Sequence, residues 1–341
     1  MAISRQAYRL DKAGSLSRMQ CVTEDLPDLQ PQEARVAVKA IGLNFADIFA
    51  IKGLYSATPK GSFVPGLEYA GVVEAVGSAV DRVKVGDRVY GVTRFGGYTD
   101  TIQMDAKYLM PLPEGWSYAE GAAFPVQALT AYYGLFQLAN IKEGATVLIQ
   151  SAAGGVGLLA NRMAKSQGAY TIGSVGSDSK IDLLKQEGYD KWIIRDDKRF
   201  KAQLQEALGD RELNVILETQ GGKVMTDSFE CLSPMGRMVS FGSARFQNAG
   251  DKPNMLKTAW RWYTRPKIDP MSMTTTNRSL MAFNLIYLFE RAHLMHQYLE
   301  EIQTLNIGAP LVGHTFPFAE LKEAVRLFST GKTVGKVVVE A

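Results

Sequence analysis

Residues 145–157 read Ala-Thr-Val-Leu-Ile-Gln-Ser-Ala-Ala-Gly-Gly-Val-Gly, and this stretch decides the fold. A short apolar run, Val147 to Ile149, stops at Gly154, Gly155 and Gly157, and residues 158–165 continue with helical spacing. Strand, tight turn and helix N-terminus in that order form a cradle for a pyrophosphate. Glycines let the backbone approach the phosphates, while unpaired N–H groups and the helix dipole favour negative charge there. Ala152 stands where the usual fingerprint has its first glycine. The same letters therefore also suit a turn that merely packs strand on helix, and the rest of the chain weighs against that plainer reading.

Working outward, strand-like and helix-like segments alternate after residue 125. Strands are expected at 146–150, 170–175, 191–194, 214–218 and 237–241, and helices at 158–167, 179–187, 200–207 and 224–232. Alternation over this length predicts a doubly wound parallel sheet, an α/β fold of the Rossmann kind. Before it, residues 1–112 read as short strands and turns, with strand-like runs at 34–40 and 71–76 and a turn at Gly86-Asp87. Ser117-x-x-Glu120 is a capping box, and Pro125 breaks or kinks the helix that it opens. After residue 290 a helix (318–329) and a last strand (336–339) return to the first domain. The expected division is 1–125, 126–288 and 289–341, with the third segment completing the first.

Composition bounds the function. A net charge of +3 over 341 residues gives no footing for nucleic acid. Cys21 and Cys231 are the only cysteines and have no partners at metal-ligand spacing, which suits a reducing, cytoplasmic setting. Residues 1–10 lack the apolar core of a secretory signal, and 280–289 is too short to span a membrane.

The chain resembles the medium-chain dehydrogenase/reductase superfamily, in its zinc-independent quinone oxidoreductase branch. The resemblance is carried by Gly42-Leu43-Asn44-Phe45-Ala46-Asp47, Gly53-Leu54-Tyr55, Pro65-Gly66-Leu67-Glu68-Tyr69-Ala70-Gly71, Val85-Gly86-Asp87-Arg88-Val89, Leu129-Thr130-Ala131-Tyr132, the glycine turn and Val334-Gly335-Lys336-Val337. Thr258-Ala259-Trp260-Arg261-Trp262-Tyr263 looks like the vesicle-associated VAT-1-type subgroup. The resemblance implies a GroES-like catalytic domain, a Rossmann domain, a nicotinamide cofactor in the cleft between them, and a homodimer formed through an edge strand near 281–288.

Zinc members of the superfamily hold the metal where this chain has Asn44, Leu67 and roughly Gln127. Leu67 cannot ligate, amides are poor zinc ligands, and 94–104 lacks the cysteines of a structural zinc lobe. His293 and His296, three apart on an expected helix, have no companion ligands and read as surface or capping histidines. No zinc is expected. Without a Lewis acid to hold an alkoxide, hydride is better delivered to a conjugated acceptor whose charge spreads into an enolate or quinol. Quinones and α,β-unsaturated carbonyls are the expected substrates.

An NAD-preferring site carries Asp or Glu at the second strand's tip, some 20 residues past the glycines; here that position is Gly176. Ser177 and Lys180 follow and suit a 2′-phosphate, and the resemblance adds Arg195. NADPH is favoured over NADH, with Asp178 opposing. The expected cofactor set is Asn44, Thr130, Ala153, Gly154, Gly155, Val156, Gly157, Ser177, Lys180, Arg195, Thr219, Phe241, Gly242, Ser243 and, on the cofactor's far side, Lys336. Asn44 and Tyr55 are the candidate catalytic residues, Asn44 also being a helix-cap candidate. Phe49 replaces a tyrosine common among relatives. Glu68 and Asp87 are expected to brace turns.

The segment 252–267 interleaves five basic residues with Trp260, Trp262 and Tyr263. It suits an amphipathic helix covering the sheet, a lid, or a contact with anionic membrane. The last keeps open a nucleotide-binding lipid or membrane adaptor with little catalysis. Loops at 55–63 and 246–276 are expected to shape the substrate pocket.

Overall fold

The computed structural model describes residues 3–247 and 250–341. Met1 and Ala2 of the N-terminal segment, and Asn248 and Ala249 of the 246–276 loop, lie outside the described residues.

The chain opens with β1 (Ser4–Leu10), β2 (Met19–Asp25) and β3 (Glu33–Gly42), then α1 (Phe45–Ile51). Next come β4 (Glu68–Val76), β5 (Arg88–Val92), β6 (Thr101–Asp105) and β7 (Leu109–Pro111). The Ser117–Glu120 capping box opens α2 (Tyr118–Ala122), and Pro125 starts a separate helix, α3 (Pro125–Tyr132), at its first position. Proline is tolerated there because a first-turn N–H has no intrahelical partner.

A second set of strands follows: β8 (Thr146–Gln150), α4 (Gly155–Ser166), β9 (Tyr170–Val175), α5 (Ile181–Gln186) and β10 (Lys191–Ile194). It continues with α6 (Phe200–Leu208), β11 (Leu213–Glu218), α7 (Gly222–Glu230), β12 (Leu232–Ser240), α8 (Met255–Tyr263), α9 (Pro270–Thr274) and β13 (Ser279–Ala282). The tail adds α10 (Ala292–Thr304), β14 (Val312–Pro317), α11 (Leu321–Ser329) and β15 (Lys336–Glu340).

The second set forms one sheet in the order β10-β9-β8-β11-β12-β13, every neighbouring pair parallel. This is the doubly wound Rossmann order, with its switch point between β8 and β11. Strands β14 and β15 instead join β3, β4, β5 and β7, so the tail completes the first sheet. The chain is an α/β protein with a GroES-like, β-rich part and a Rossmann part. A backbone bond from Gly335 N–H to the Ala153 carbonyl (2.8 Å) ties the glycine turn to the strand that carries the tail home.

The core of the Rossmann sheet runs on into the first sheet, taking in Ala40, Ala70, Tyr90 and Val338, and a second core belongs to the first sheet and the tail. Helix α4 buries Leu158, Leu159 and Met163 against the Rossmann sheet, each worth roughly 1.5–3 kcal/mol. On the other side Leu321, Val325 and Phe328 of α11 close over the first sheet.

Three expectations change. Helix α4 begins at Gly155 rather than Leu158, so the glycines are themselves its first turn and supply its free amides. Helix α8 does not cover the sheet: none of its side chains is buried, and Trp260, Trp262 and Tyr263 are 65%, 61% and 78% exposed. Its apolar spacing is that of a helix with a face to bury, and that face is turned outward. The expected edge strand near 281–288 is also shorter: β13 ends at Ala282, and Leu285–Leu288 is a 3-10 turn lining the cleft.

Candidate active site

A cleft of about 850 Å³ lies between the two sheets, across the carboxyl ends of the Rossmann strands. Ligands of open α/β sheets bind at that edge. Gly154, Gly155, Val156 and Gly157 sit at its centre. Gly157 has no room for a side chain: a Cβ there would lie 2.7 Å from the backbone carbonyl oxygens of Ser151 and Ala152, and one at Gly155 would displace the Gln127 amide of α3. The left-handed residue of the turn is Ser151 (φ 53°), and its hydroxyl meets that of Thr219 at 3.0 Å. That bond spans the switch point from β8 to β11.

Gly176 ends β9 without a carboxylate, and Lys180 and Arg195 stand beyond it. The Lys180 ammonium donates to the carbonyls of Gly331 (3.1 Å) and Thr333 (2.9 Å). One of its three protons is left over. Arg195 donates to the Ser174 hydroxyl at 3.3 Å. Burial, and then the charge of Arg195, pull the Lys180 pKa below its ordinary value; burial also lowers that of Arg195. Two cations held near each other in partly dry surroundings fit an anion between them. Ser177 also lines the cleft; its hydroxyl meets Asp178 and Ser179, while Asp178 is not among the lining residues.

Asn44 is the N-cap residue of α1, and the Asp47 carboxylate accepts its backbone N–H at 2.8 Å. Its side chain is held from below. The amide donates to Glu68 at 2.7 Å, and its oxygen accepts from the Lys336 ammonium at 2.9 Å. Glu68 and Lys336 form an ion pair with no exposed surface, and Glu68 also accepts the Val126 N–H at 2.8 Å. Lys336 was expected beside the cofactor, yet it lies under the cleft floor and holds Asn44 in place. Glu68 does more than brace a turn, because it organises this floor. Asp87 does accept the Lys84 N–H within its turn at 2.9 Å. Beneath Asn44, burial raises the Asp47 pKa to about 7, and one of its oxygens has no partner among the described residues.

Tyr55 reaches across the cleft and donates to the Asn284 side-chain oxygen at 2.7 Å, and Tyr287 reaches back to the Ser56 hydroxyl at 3.0 Å. Burial pushes the Tyr55 phenol up to about 12. Phe49 lines the same region, and Leu285, Leu288, Phe289, Leu294 and Met295 give an apolar wall. Thr130 lines the cleft with its hydroxyl donated back to Val126 at 2.6 Å. Ala153, Thr219, Phe241, Gly242 and Ser243 complete the Rossmann side. Thus the cleft gathers every expected cofactor residue except Lys336.

Sequence reasoning missed Ser151, Asn284 and the apolar wall. Only Ser151 had a signal, its place in the turn next to Ala152. The three metal-ligand positions, Asn44, Leu67 and Gln127, do converge on the cleft. Their donor set does not fit zinc, since Leu67 has no donor and the Asn44 amide is committed to an ion pair. Among the described residues, no group of three or more His, Cys, Asp or Glu side chains is placed to hold a metal. His296 instead bridges Lys107 and Arg82.

The profile described as "Alcohol dehydrogenase GroES-like domain" matches residues 30–114, and "Zinc-binding dehydrogenase" matches 155–285. The chain is 32% identical over 323 residues to the synaptic vesicle membrane protein VAT-1 homolog of Danio rerio, covering 93% of this chain and 66% of that protein. It is 33% identical over 311 residues to a quinone oxidoreductase of Pseudomonas aeruginosa, covering 91% of each. The crystal structure of Escherichia coli quinone oxidoreductase complexed with NADPH is similar with a TM-score of 0.84 and 26% identity, over 99% of this chain and 100% of that one. With two matched domains, a shared cleft and these relatives, the chain belongs to the medium-chain dehydrogenase/reductase superfamily, alongside its quinone oxidoreductases and VAT-1 homologues.

Proposed function

We propose that this protein is a zinc-free, NADPH-dependent oxidoreductase acting on a quinone or an α,β-unsaturated carbonyl. The observation that carries the reading is the cationic end of the cleft. A strand tip without a carboxylate is followed by Lys180 and Arg195, in line with the glycine turn. When bound, NADPH supplies the hydride. The first turn of α4 would take the pyrophosphate, and Lys180, Arg195 and Ser177 the 2′-phosphate. Asn44, fixed by Glu68 and Lys336, would face a ribose hydroxyl of the cofactor. The apolar wall from Leu285 to Met295 would take a flat, conjugated acceptor. Tyr55, whose proton points to Asn284, closes the cleft, and solvent supplies the proton.

The test is to follow nicotinamide absorbance with soluble quinones and enones. Oxidation of NADPH by either class supports the reading; bound NADPH that neither class oxidises contradicts it. A cytoplasmic location and a homodimer through β13, whose outer edge has no partner strand among the described residues, belong to the same proposal. Light scattering that shows only monomer would remove the dimer.

A second reading rests on α8. No helix among the described residues is long and apolar enough to cross a membrane. The exposed Trp260, Trp262 and Tyr263 beside Lys257, Arg261 and Arg265 suit peripheral contact with an anionic surface, as in a nucleotide-binding adaptor. Liposome sedimentation unchanged by Arg261→Glu with Arg265→Glu would count against it.

A further inference from the structure

Behind the Rossmann edge of the cleft lies a second hollow, about 190 Å³, whose lining includes Arg245, Arg261 and Arg265 together with Gly221 and Gly222. Arg245 is anchored through Thr264, donating to its carbonyl at 3.1 Å and its hydroxyl at 2.8 Å. Arg261 donates to the Gln247 carbonyl at 3.1 Å. Arg265 donates to the Trp262 carbonyl at 2.8 Å and lies 4.2 Å over the Trp262 ring. A guanidinium has five N–H donors, so each keeps several to spare.

No carboxylate among the described residues forms an ion pair with any of the three. Burial, and then the charge of Arg245, hold the Arg261 guanidinium below its ordinary value. Gathering like charges around a hollow costs free energy unless something negative enters it. Gly222 (φ 61°) packs against Arg245: a Cβ there would lie 3.1 Å from the Arg245 guanidinium and its stem. Gly222 opens the nine-residue helix α7, whose first amides have no intrahelical partners.

From three carboxylate-free arginines lining one hollow, we infer a binding site for a phosphoryl oxyanion, separate from the cofactor cleft. Arginine forks match the paired oxygens of a phosphate. The site does not depend on the hydride-transfer reading, although Gly242 and Ser243 wall both cavities. Its ligand is a phosphate group, carried either by an anionic lipid headgroup or by a soluble phosphoester. The exposed Met255, Leu256, Trp260 and Tyr263 of α8 stand on the helix that supplies Arg261.

The test titrates the full chain with inorganic phosphate at constant ionic strength, by calorimetry and by tryptophan fluorescence, Trp262 being the local reporter. Arg261→Gln with Arg265→Gln is the main variant, because Arg245 also ties Thr264 into the fold. Arg261→Lys is the second variant, and a thermal melt checks that each is folded. Lys180→Ala removes the competing anion site of the cofactor cleft, so the arginine variants are compared in that background, where phosphate binding at the hollow is expected to persist. The double variant should bind about tenfold more weakly, and Arg261→Lys in between. Flotation with phosphatidylcholine vesicles containing phosphatidic acid separates the sources. Flotation lost in the double variant identifies a headgroup, and phosphate binding without flotation identifies a soluble phosphoester. Phosphate affinity unchanged in the double variant, or lost in Lys180→Ala instead, would overturn the site.

Discussion

Lys336 lies beneath the cleft floor and Lys180 lines the cleft, and the chain treats their charges differently. Lys336 has no exposed surface; its ammonium is shared between Glu68 and Asn44, and both partners are buried too. Lys180 is tied only to neutral carbonyls, with Arg195 as its charged neighbour. A buried, fully paired charge fixes geometry, whereas a held but unneutralised charge is a receptor. The floor therefore positions Asn44, and the Lys180 end is the proposed anion receptor.

The largest effect should follow from breaking the floor. Lys336→Met leaves Glu68 charged and dry, which costs roughly 3–5 kcal/mol when one partner of a buried pair is removed. Urea denaturation reads this, and Glu68→Leu added to Lys336→Met should recover much of the loss. A single-variant loss below about 1 kcal/mol, as for an exposed pair, would erase the contrast.

Next is Asp47, buried beside that pair but outside it. Its pKa rises from 3.8 to about 7, chiefly through burial. Between those values the folded chain binds a proton that the unfolded chain has released, so this carboxyl's contribution to stability falls as pH rises through the window. Glu218, also raised to about 7 by burial, acts in the same sense. Comparing urea midpoints at about pH 5 and about pH 8, Asp47→Asn should lose less stability than wild type over that rise. An identical slope in both proteins would mean that Asp47 stays ionised throughout.

Tyr55→Phe removes one bridging hydrogen bond, worth about 1 kcal/mol, and should lower turnover less than about tenfold. A loss of about 10²–10⁴ would make Tyr55 the general acid instead of a clasp. The smallest effect is expected on α8. Trp260→Ser should change stability by less than about 0.5 kcal/mol, as usual for an exposed position. A larger loss in a thermal melt would show that α8 is packed after all.

Much of this architecture was legible in the sequence. The runs at 146–150, 170–175 and 191–194 are strands with those bounds, because parallel strands are short and bracketed by turns; the first two are buried, while the edge strand at 191–194 buries only Ile193. The glycine turn and the acid-free strand tip were legible because both are local. The floor was not, since Lys336 and Glu68 are 268 positions apart and nothing near either residue marks the pair. Nor was the orientation of α8, as an amphipathic pattern reads the same whether its apolar face meets a sheet or solvent. The hollow lined by Arg245, Arg261 and Arg265 likewise exists only once a turn after β12 meets the end of α8.

The proposed function stands on the cationic end selecting a phosphorylated nicotinamide cofactor. Its most direct test titrates NADPH and NADH by nicotinamide fluorescence into wild type and into Lys180→Ala with Arg195→Ala. Wild type should bind NADPH more tightly than NADH, and the double variant should lose about 10–100-fold for NADPH while NADH is little changed. Equal affinity for both cofactors, or NADPH binding that survives the double variant, would contradict it.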